Sequence, residues 1–512
     1  MPDATLTTHR SNILITGLHR SGTTMVCRLL ASLDGVIALQ EPMKVKGFIS
    51  KDKDGVQAFV QEFIDDTRNE LLHDHKTKTR YVSGENTDNY FSDESSSNGL
   101  RQTNEKNGLV AYDKPLSPDF LLVIKHNAAF AALLDQLHPK FCCYAIIRNP
   151  LAILASWQTI DMAVNIGRLP AAEAIDPSLS HTLSSINNTL DRQIFIINWF
   201  FYQYFNTLPP EHIIRYEDII ATSGKCLTAI TPHASTLHER LISRNNNPLY
   251  RNLNLPGIVY KLLNSNGMWQ KFYTKNDVEA LAATLLDIEW LPASNLYGTY
   301  CVPVSSKDRP VSQRILRADI HEPETIAYIR ANCHDGDVVH AGTFFGDFLP
   351  ALSSALAHGA KIWAFEPNYE NYWCAINTIR SNNLQNIELL NAGLGEGASE
   401  ANLFIRTREG ENLGGASTIT QNNDQDLTVS VRLVSIDQFI PLSRNISIIQ
   451  LDVEGYEKQA LSGALQTILR NKPLIIMEDN NGITNTAWFE QHILSLGYTP
   501  LGKVHNNHIF RW

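Results

Sequence analysis

Short apolar runs recur along the chain, each closed by a polar or glycine-bearing corner and followed by apolar residues at helical spacing. Ile13-Leu14-Ile15 leads into Gly17-Leu18-His19-Arg20-Ser21-Gly22-Thr23-Thr24 and then Met25-Val26-Cys27-Arg28-Leu29-Leu30, which predicts strand, turn and helix. Residues 50–115 turn polar and predict an insertion or a mobile loop set. Strands are then expected at 120–125, 141–148 and 212–216, with helices at 128–137 and 151–157. Residues 293–319 carry prolines and little periodicity and read as a linker between domains at 11–292 and 320–512. Beyond it the alternation restarts at 337–341, 361–365 and 387–390, with later strands at 428–436, 446–452 and 473–478 and a late edge strand at 509–512. Strands separated by helices indicate parallel sheets covered on both faces, hence an α/β chain of two doubly wound domains.

Length agrees, since 512 residues exceed what one core serves. A formal charge of −10 disfavours extended nucleic-acid or anionic-membrane binding. The polar opening segment lacks the apolar core of a signal peptide, and no run approaches the ~18 apolar residues of a membrane span, so a cytoplasmic location is expected. Seven scattered cysteines without a CxxC pair suggest reduced packing residues, with neither a disulfide framework nor a metal site.

The first candidate chemistry lies at 17–24. A glycine-bearing turn that opens a helix aims backbone N–H groups and the positive end of the helix dipole at one point, which suits phosphate. The spacing is that of a Walker A loop, but Thr23 stands where the lysine that reaches β- and γ-phosphates belongs. ATP or GTP hydrolysis is therefore disfavoured, and Arg20 supplies the charge instead. A turn that caps a helix and binds nothing is the alternative. Arg148, at a strand's C-terminal end, and Ser156, two turns into the next helix, form a second pair on the ligand side of such a sheet.

Residues 11 to about 290 resemble the sulfotransferases that use 3′-phosphoadenosine 5′-phosphosulfate (PAPS) and share their P-loop-like fold. The resemblance rests on Arg20-Ser21-Gly22-Thr23-Thr24, on Arg148-Asn149-Pro150 through Ser156-Trp157, on Arg215-Tyr216-Glu217-Asp218 and on Gly267-Met268-Trp269-Gln270-Lys271. It implies that Arg20, Ser21, Gly22, Thr23 and Thr24 grip the 5′-phosphosulfate and that Arg148 and Ser156 grip the 3′-phosphate. Fixed donors such as Arg20 would stabilise the charge that develops on transfer, and no metal is required. The loop is closest to the carbohydrate and tyrosylprotein branches, whose catalytic glutamate implies Glu41 as the base. His126 and His19 compete for that role.

In the second half, Gly342-Thr343-Phe344-Phe345-Gly346 follows a strand, and Glu366 ends the next one, placed to accept from two ribose hydroxyls. A helix-entry turn is the bland alternative. Without the GxGxxG of a dinucleotide site, S-adenosylmethionine (SAM) is the better fit. Residues 320–512 resemble the FkbM family of SAM-dependent methyltransferases, which have a class I Rossmann-like fold and act mostly on hydroxyls. The carrying residues are 337–346, Phe365-Glu366-Pro367-Asn368, Asn391-Ala392-Gly393-Leu394-Gly395, Gly414-Gly415-Ala416-Ser417-Thr418 and Leu451-Asp452-Val453-Glu454-Gly455-Tyr456-Glu457. The resemblance implies Gly342, Thr343, Gly346, Glu366 and Asn391 as cofactor residues. It departs at His340, where the strand commonly ends in Asp, leaving Asp347 as the neighbouring carboxylate.

Asp452 is the expected base or acceptor anchor, with Glu454 beside it; the alternative is that both only cap the helix that follows. Together the halves predict a bifunctional transferase, sulfating and O-methylating hydroxyls of a glycan or other small molecule, with no nucleic-acid partner. The rivals are a methyltransferase whose first domain only recruits substrate, a P-loop kinase fused to a methyltransferase, and a binding protein without catalysis.

Overall fold

The computed structural model describes residues 11–82, 88–95, 99–253, 255–333, 335–420 and 427–512. The chain forms two compact units that divide between Leu286 and Asp287.

In the first unit, five strands form one sheet: β1 (Asn12–Gly17), β2 (Val36–Gln40), β3 (Leu121–Lys125), β4 (Cys142–Ile147) and β5 (Ile213–Arg215), in the order β2-β3-β1-β4-β5. All pairings are parallel. Apolar runs with no alternation explain this, because helices cover both faces; β2 is buried at every residue. Chain order reverses between β1 and β4, which opens the crevice where such sheets take ligands.

The segment 50–115 corrects the expectation of loops. It begins with a helix, Lys53–Asp74, capped by Asp52, whose buried stripe is Val56, Val60, Ile64, Thr67 and Leu71. Two antiparallel pairs follow, Lys76–Tyr81 with Lys106–Ala111 and Phe91–Ser95 with Arg101–Thr103. Residues 83–87 and 96–98 of the expected loop lie outside the described residues. The helix expected at 128–137 is two short ones, Asn127–Ala132 and Leu134–Leu137.

The second unit holds a seven-stranded sheet of β6 (Asp337–Ala341), β7 (Ile362–Phe365), β8 (Ile387–Leu390), β9 (Ile446–Leu451), β10 (Leu474–Glu478), β11 (Thr499–Val504) and β12 (Asn507–Arg511). Its order is β8-β7-β6-β9-β10-β12-β11, parallel except for the final hairpin. Val339 and Ala341 belong to the core on one face and Val338 to the core on the other, as strand alternation requires.

Three expectations change here. The closing strand is internal, since β12 pairs with both β10 and β11 and leaves β11 at the edge. The strand expected at 428–436 lies outside the main sheet: Thr428–Val434 joins Gly393–Leu394, Ser399–Phe404 and Thr418–Thr420 in a separate four-stranded sheet. The stretch read as a linker holds part of a hairpin, Trp290–Asn295 with Gly298–Pro303, and a helix, Pro310–Leu316. That hairpin packs within the second unit, the Cys301 N–H donating to Thr378 Oγ1 at 3.0 Å. Its prolines close a strand at Pro303 and open a helix at Pro310, roles that proline favours.

Among the described residues no helix is long and apolar enough to cross a membrane, and no His/Cys/Asp/Glu group is arranged to hold a metal. All seven cysteines are free thiols.

Candidate functional site

Each unit has a crevice at the end of its first central strand. In the first unit the turn after β1 is fixed by the Ser21 N–H donating to the Leu18 carbonyl, with Arg20 at φ 73° and Gly22 at φ 97°. Left-handed backbone is costly for arginine, so its neighbours must hold it. They do: Arg20 Nε donates to Ser156 Oγ at 3.1 Å, Nη1 donates to Asn89 Oδ1 at 2.7 Å, and the guanidinium lies over the Phe91 ring. Burial lowers the Arg20 pKa to about 10, with nearby Arg101 and Arg148 acting in the same direction, and the group stays charged at neutral pH.

Arg148 follows the last residue of β4. Its Nη1 donates to the Arg20 carbonyl at 2.8 Å, its Nε donates to Asn245 Oδ1 at 2.6 Å, and its plane rests on Tyr216. Its buried Nη2 meets no partner, and neither does Ser21 Oγ, buried in the loop against Gly17. Arg20, Ser21, Arg148 and Ser156 therefore come together, but Ser156 Oγ is engaged by Arg20. Thr23, buried at the helix start, and Thr24 both line the crevice.

Glu41, expected as a base, lies at the end of β2 with φ 45°. Its Oε1 takes Lys125 Nζ at 3.1 Å and its Oε2 takes Arg80 Nη2 at 3.0 Å. Burial works to raise its pKa, but Lys125, His126, Arg80 and His19 outweigh that and hold it well below the usual carboxylate range. Burial drives His19 down to about 4 and lowers His126 as well, so both rings are neutral at pH 7 with an unpartnered Nδ1. His126 Nε2 lies 3.2 Å from the Met43 carbonyl. These groups surround a cavity of about 320 Å³ whose wall includes Arg20, Thr24, Glu41, Arg80, Lys125 and Arg148. The sequence reading missed Arg80 and Asn89, which come from the segment taken as loops. It also missed Lys125, although that residue ends a strand it had found.

In the second unit the turn after β6 carries Gly342 at φ 84° and Gly346 at φ 82°. A Cβ on Gly342 would stand 1.8 Å from the Asp452 carbonyl oxygen, so glycine is required by backbone approach as well as by torsion. Glu366 is buried and accepts from the Phe344 N–H at 2.7 Å and from the Asn368 N–H at 2.8 Å. Burial raises its pKa to about 8 against those hydrogen bonds. Asn391 Nδ2 donates to the Glu366 and Pro367 carbonyls at 2.9 and 3.1 Å and so steadies the backbone that presents Glu366. Thr343 is buried, its Oγ1 donating to the His340 carbonyl at 3.3 Å.

His340 is a packed core residue, stacked on Phe348 and hydrogen-bonded to Gln450; burial lowers its pKa to about 4. Asp347 is buried and pushed up to about 7 by that burial. Asp452 and Glu454 follow β9, with burial and nearby carboxylates raising both; Glu454 has φ 49°. Gly342, Glu366, Asp452 and Glu454 line a cavity of about 30 Å³ roofed by the four-stranded sheet through Leu403 and Ile419. The sequence reading quoted Gly414-Gly415 only as a landmark; the structure packs this turn on the Phe344 ring and ties it to Asn371 Nδ2 at 3.2 Å.

Residues 338–499 match the model of the methyltransferase FkbM domain. The second unit carries a methyltransferase FkbM domain. No protein of curated function matches the chain. Among solved structures it is similar to a methyltransferase FkbM from Methylobacillus flagellatus KT, at 13% identity and a TM-score of 0.26, over 73% of this chain and 84% of that one. It is also similar to a methyltransferase from Geobacter sulfurreducens, at 16% identity and a TM-score of 0.24, over 43% and 93%. A third is the tRNA (uracil-54, C5)-methyltransferase of Pyrococcus abyssi in complex with S-adenosyl-L-homocysteine, at 12% identity and a TM-score of 0.24, over 43% of each chain. The FkbM match lies within the second unit.

Proposed function

We propose that the second unit is a SAM-dependent O-methyltransferase and the first a PAPS-dependent sulfotransferase, both acting on hydroxyls of a glycan or secondary metabolite. The methyl-transfer reading rests on one observation above the others: within the residues that match the FkbM domain, Glu366 and Asp452 flank the glycine turn at Gly342. The side chains suit SAM, since Asp452 Oδ1 is buried with no partner beside the Gly342 turn, while the space of about 30 Å³ has to widen to admit a nucleoside. Glu366 would accept from the ribose hydroxyls, and Gly342 and Gly346 would let the nucleoside approach the backbone. The cofactor supplies an electrophilic methyl on a sulfonium; the chain aligns the acceptor hydroxyl and takes its proton at Asp452.

For the first unit, the supporting observation is the pair of buried, unpartnered donors, Arg148 Nη2 and Ser21 Oγ, beside the left-handed turn at Arg20. A buried donor without a partner costs free energy unless a ligand satisfies it, and an anionic donor with two phosphate-bearing ends suits these cations. One observation favours a second reading. Glu41, held by Lys125 and Arg80, is a poor proton acceptor, as expected of a unit that binds substrate without transferring sulfuryl groups.

The test is calorimetry of the full chain with SAM, PAPS and magnesium-ATP in turn, then labelled-sulfur and labelled-methyl transfer into glycan and metabolite extracts. Binding of SAM and PAPS with transfer of both labels is the expected result. PAPS binding without sulfur transfer selects the recruiting reading, and ATP binding in place of PAPS overturns the assignment of the first unit.

A further inference from the structure

The proposed function puts two transfers on one acceptor, and the walls of the two crevices receive its two products unequally. Among the described residues, the second crevice is lined by Glu366, Asp452 and Glu454 and by no lysine, arginine or histidine. β10, which pairs with β9, brings a further carboxyl group, Glu478, to the same end of the sheet. Ser417 Oγ on that wall is engaged, donating to the Gly414 carbonyl at 2.8 Å, and Leu403 and Ile419 of the roof are apolar.

A sulfate monoester is a permanent anion at any pH a folded protein survives, so unlike a carboxyl group it cannot discard its charge on burial. In the second crevice it would meet three carboxyl groups and no cation. The sulfonium of the methyl donor sharpens the conflict. Those carboxyl groups are its counter-charge when it binds, whereas a sulfate beside them would hold their protons on, and a protonated Asp452 cannot take the proton of a hydroxyl. The first crevice has the opposite lining. Seven cations stand there against four carboxylates, and Arg28, bidentate on Glu239 at 2.8 Å and paired with Asp88, takes up two of the four. Met25, Met162, Leu241 and Ile242 share that wall, with Ile242 70% exposed. A methyl ether finds apolar contact there and a sulfate ester finds cations.

We propose that methyl transfer comes first and sulfuryl transfer second, so that the second unit supplies the methylated hydroxyl compound that the first unit consumes. This rests on the two-transferase reading above and adds an order to it. In the first step one hydroxyl loses its proton to Asp452, its oxygen pair bonds the methyl, and the carbon–sulfur pair stays on sulfur. In the second step a different hydroxyl reacts, because the first is now an ether. It loses its proton to Glu41, its oxygen pair bonds the sulfur of the donor, and the pair of the broken sulfur–oxygen bond stays on the donor's phosphate. The compound that carries both groups is an anion that the second crevice rejects, which makes the order one-way.

The test uses the wild-type full chain, so no variant has to fold, with the glycan and metabolite extracts as the source of acceptors. Extract is treated with labelled SAM alone or labelled PAPS alone; each labelled product is isolated free of donor and returned to fresh chain with the other donor. The methylated product should take up sulfur label. PAPS alone should give no sulfated product, or one that takes up methyl label more than about fivefold more slowly than the same compound after acid solvolysis of its sulfate, since like charges brought together exclude a wrong partner. A smaller difference overturns the order, and so does methyl label that appears only when PAPS is also supplied. A methylated product that takes no sulfur label while other compounds of the extract do overturns it as well, because the two units then serve different acceptors. Absence of sulfur label under every condition overturns the sulfuryl-transfer reading and the order with it, and leaves methyl transfer standing; absence of methyl label under every condition overturns the methyl-transfer reading instead, and again the order.

Discussion

Both units place their first strand centrally, end it in a glycine-bearing turn, and set that turn beside the end of the strand across the switch point, β4 in one and β9 in the other. Their ionisable side chains are opposite in kind. In the first crevice Arg20, Arg80, Arg101, Lys125, Arg148, Arg240 and Arg244 outnumber the carboxylates Glu41, Asp88, Glu105 and Glu239, and Glu41 is held ionised by two cations. In the second crevice Glu366, Asp452 and Glu454 face each other around Gly342, with burial raising the pKa of each. A glycine turn alone thus says only that a ligand approaches the backbone; the ionisable neighbours say what charge it brings. The first crevice suits a polyanion and the second a cationic sulfonium.

The comparison breaks hardest at the Glu41–Lys125 pair. Glu41→Gln leaves a buried ammonium without its partner and should cost about 3–5 kcal/mol in urea unfolding of the first unit, most of it recovered in Glu41→Gln with Lys125→Met. A loss below about 1 kcal/mol would show that the pair is solvated.

Next comes the turn of the second crevice. Gly342→Ala should cost roughly 2–4 kcal/mol and abolish SAM binding, because both the torsion and the Asp452 carbonyl oppose a Cβ. Gly359→Ala, at φ 87° with open space around it, isolates the torsional part and should cost only about 1 kcal/mol. Equal losses in the two variants would remove close approach as the reason for Gly342.

Arg148→Ala sharpens the first crevice. It should weaken PAPS binding by about 2–4 kcal/mol in calorimetry while SAM affinity stays unchanged. Unaltered PAPS affinity would remove Arg148 from the donor site.

The smallest effect is the opposite pH response of the two units. Glu366 has a folded pKa of about 8 against an ordinary 4.5, so the folded state holds the proton more tightly and stability falls as pH rises through that window. His19 goes the other way, from 6.5 to about 4, so its contribution is complete above pH 6.5 and is lost as pH falls toward 4. Scanning calorimetry should find the second unit's transition dropping toward alkaline pH and the first unit's toward acid, with Glu366→Gln flattening the former. Parallel shifts in both transitions would contradict the charge contrast.

What the sequence disclosed was local. A strand followed by a glycine turn was legible at Gly17 and Gly342 because its parts are adjacent in the chain, and Glu366 and Asp452 were found because strand ends face ligand. The helix Lys53–Asp74 was missed, although its stripe of Val56, Val60, Ile64, Thr67 and Leu71 is periodic, because the charged residues between those positions, Asp54, Glu62, Asp65, Asp66, Arg68 and Glu70, hid the period. With it went Arg80 and Arg101. His340 shows the reverse case, a motif position whose residue turned inward to Gln450 and Phe348.

The four-stranded sheet built from residues 393–434 has a wider consequence. Among the described residues its strands pair only with one another, while the seven-stranded sheet keeps its own ladder. Changes of length within the roof are therefore absorbed without shifting β6 against β9, and the cradle at Gly342 keeps its shape. Because Leu403 and Ile419 of this sheet also line the crevice, a graft of the segment from a relative would reshape the wall over Gly342 while leaving the ladder of β6 with β9 intact.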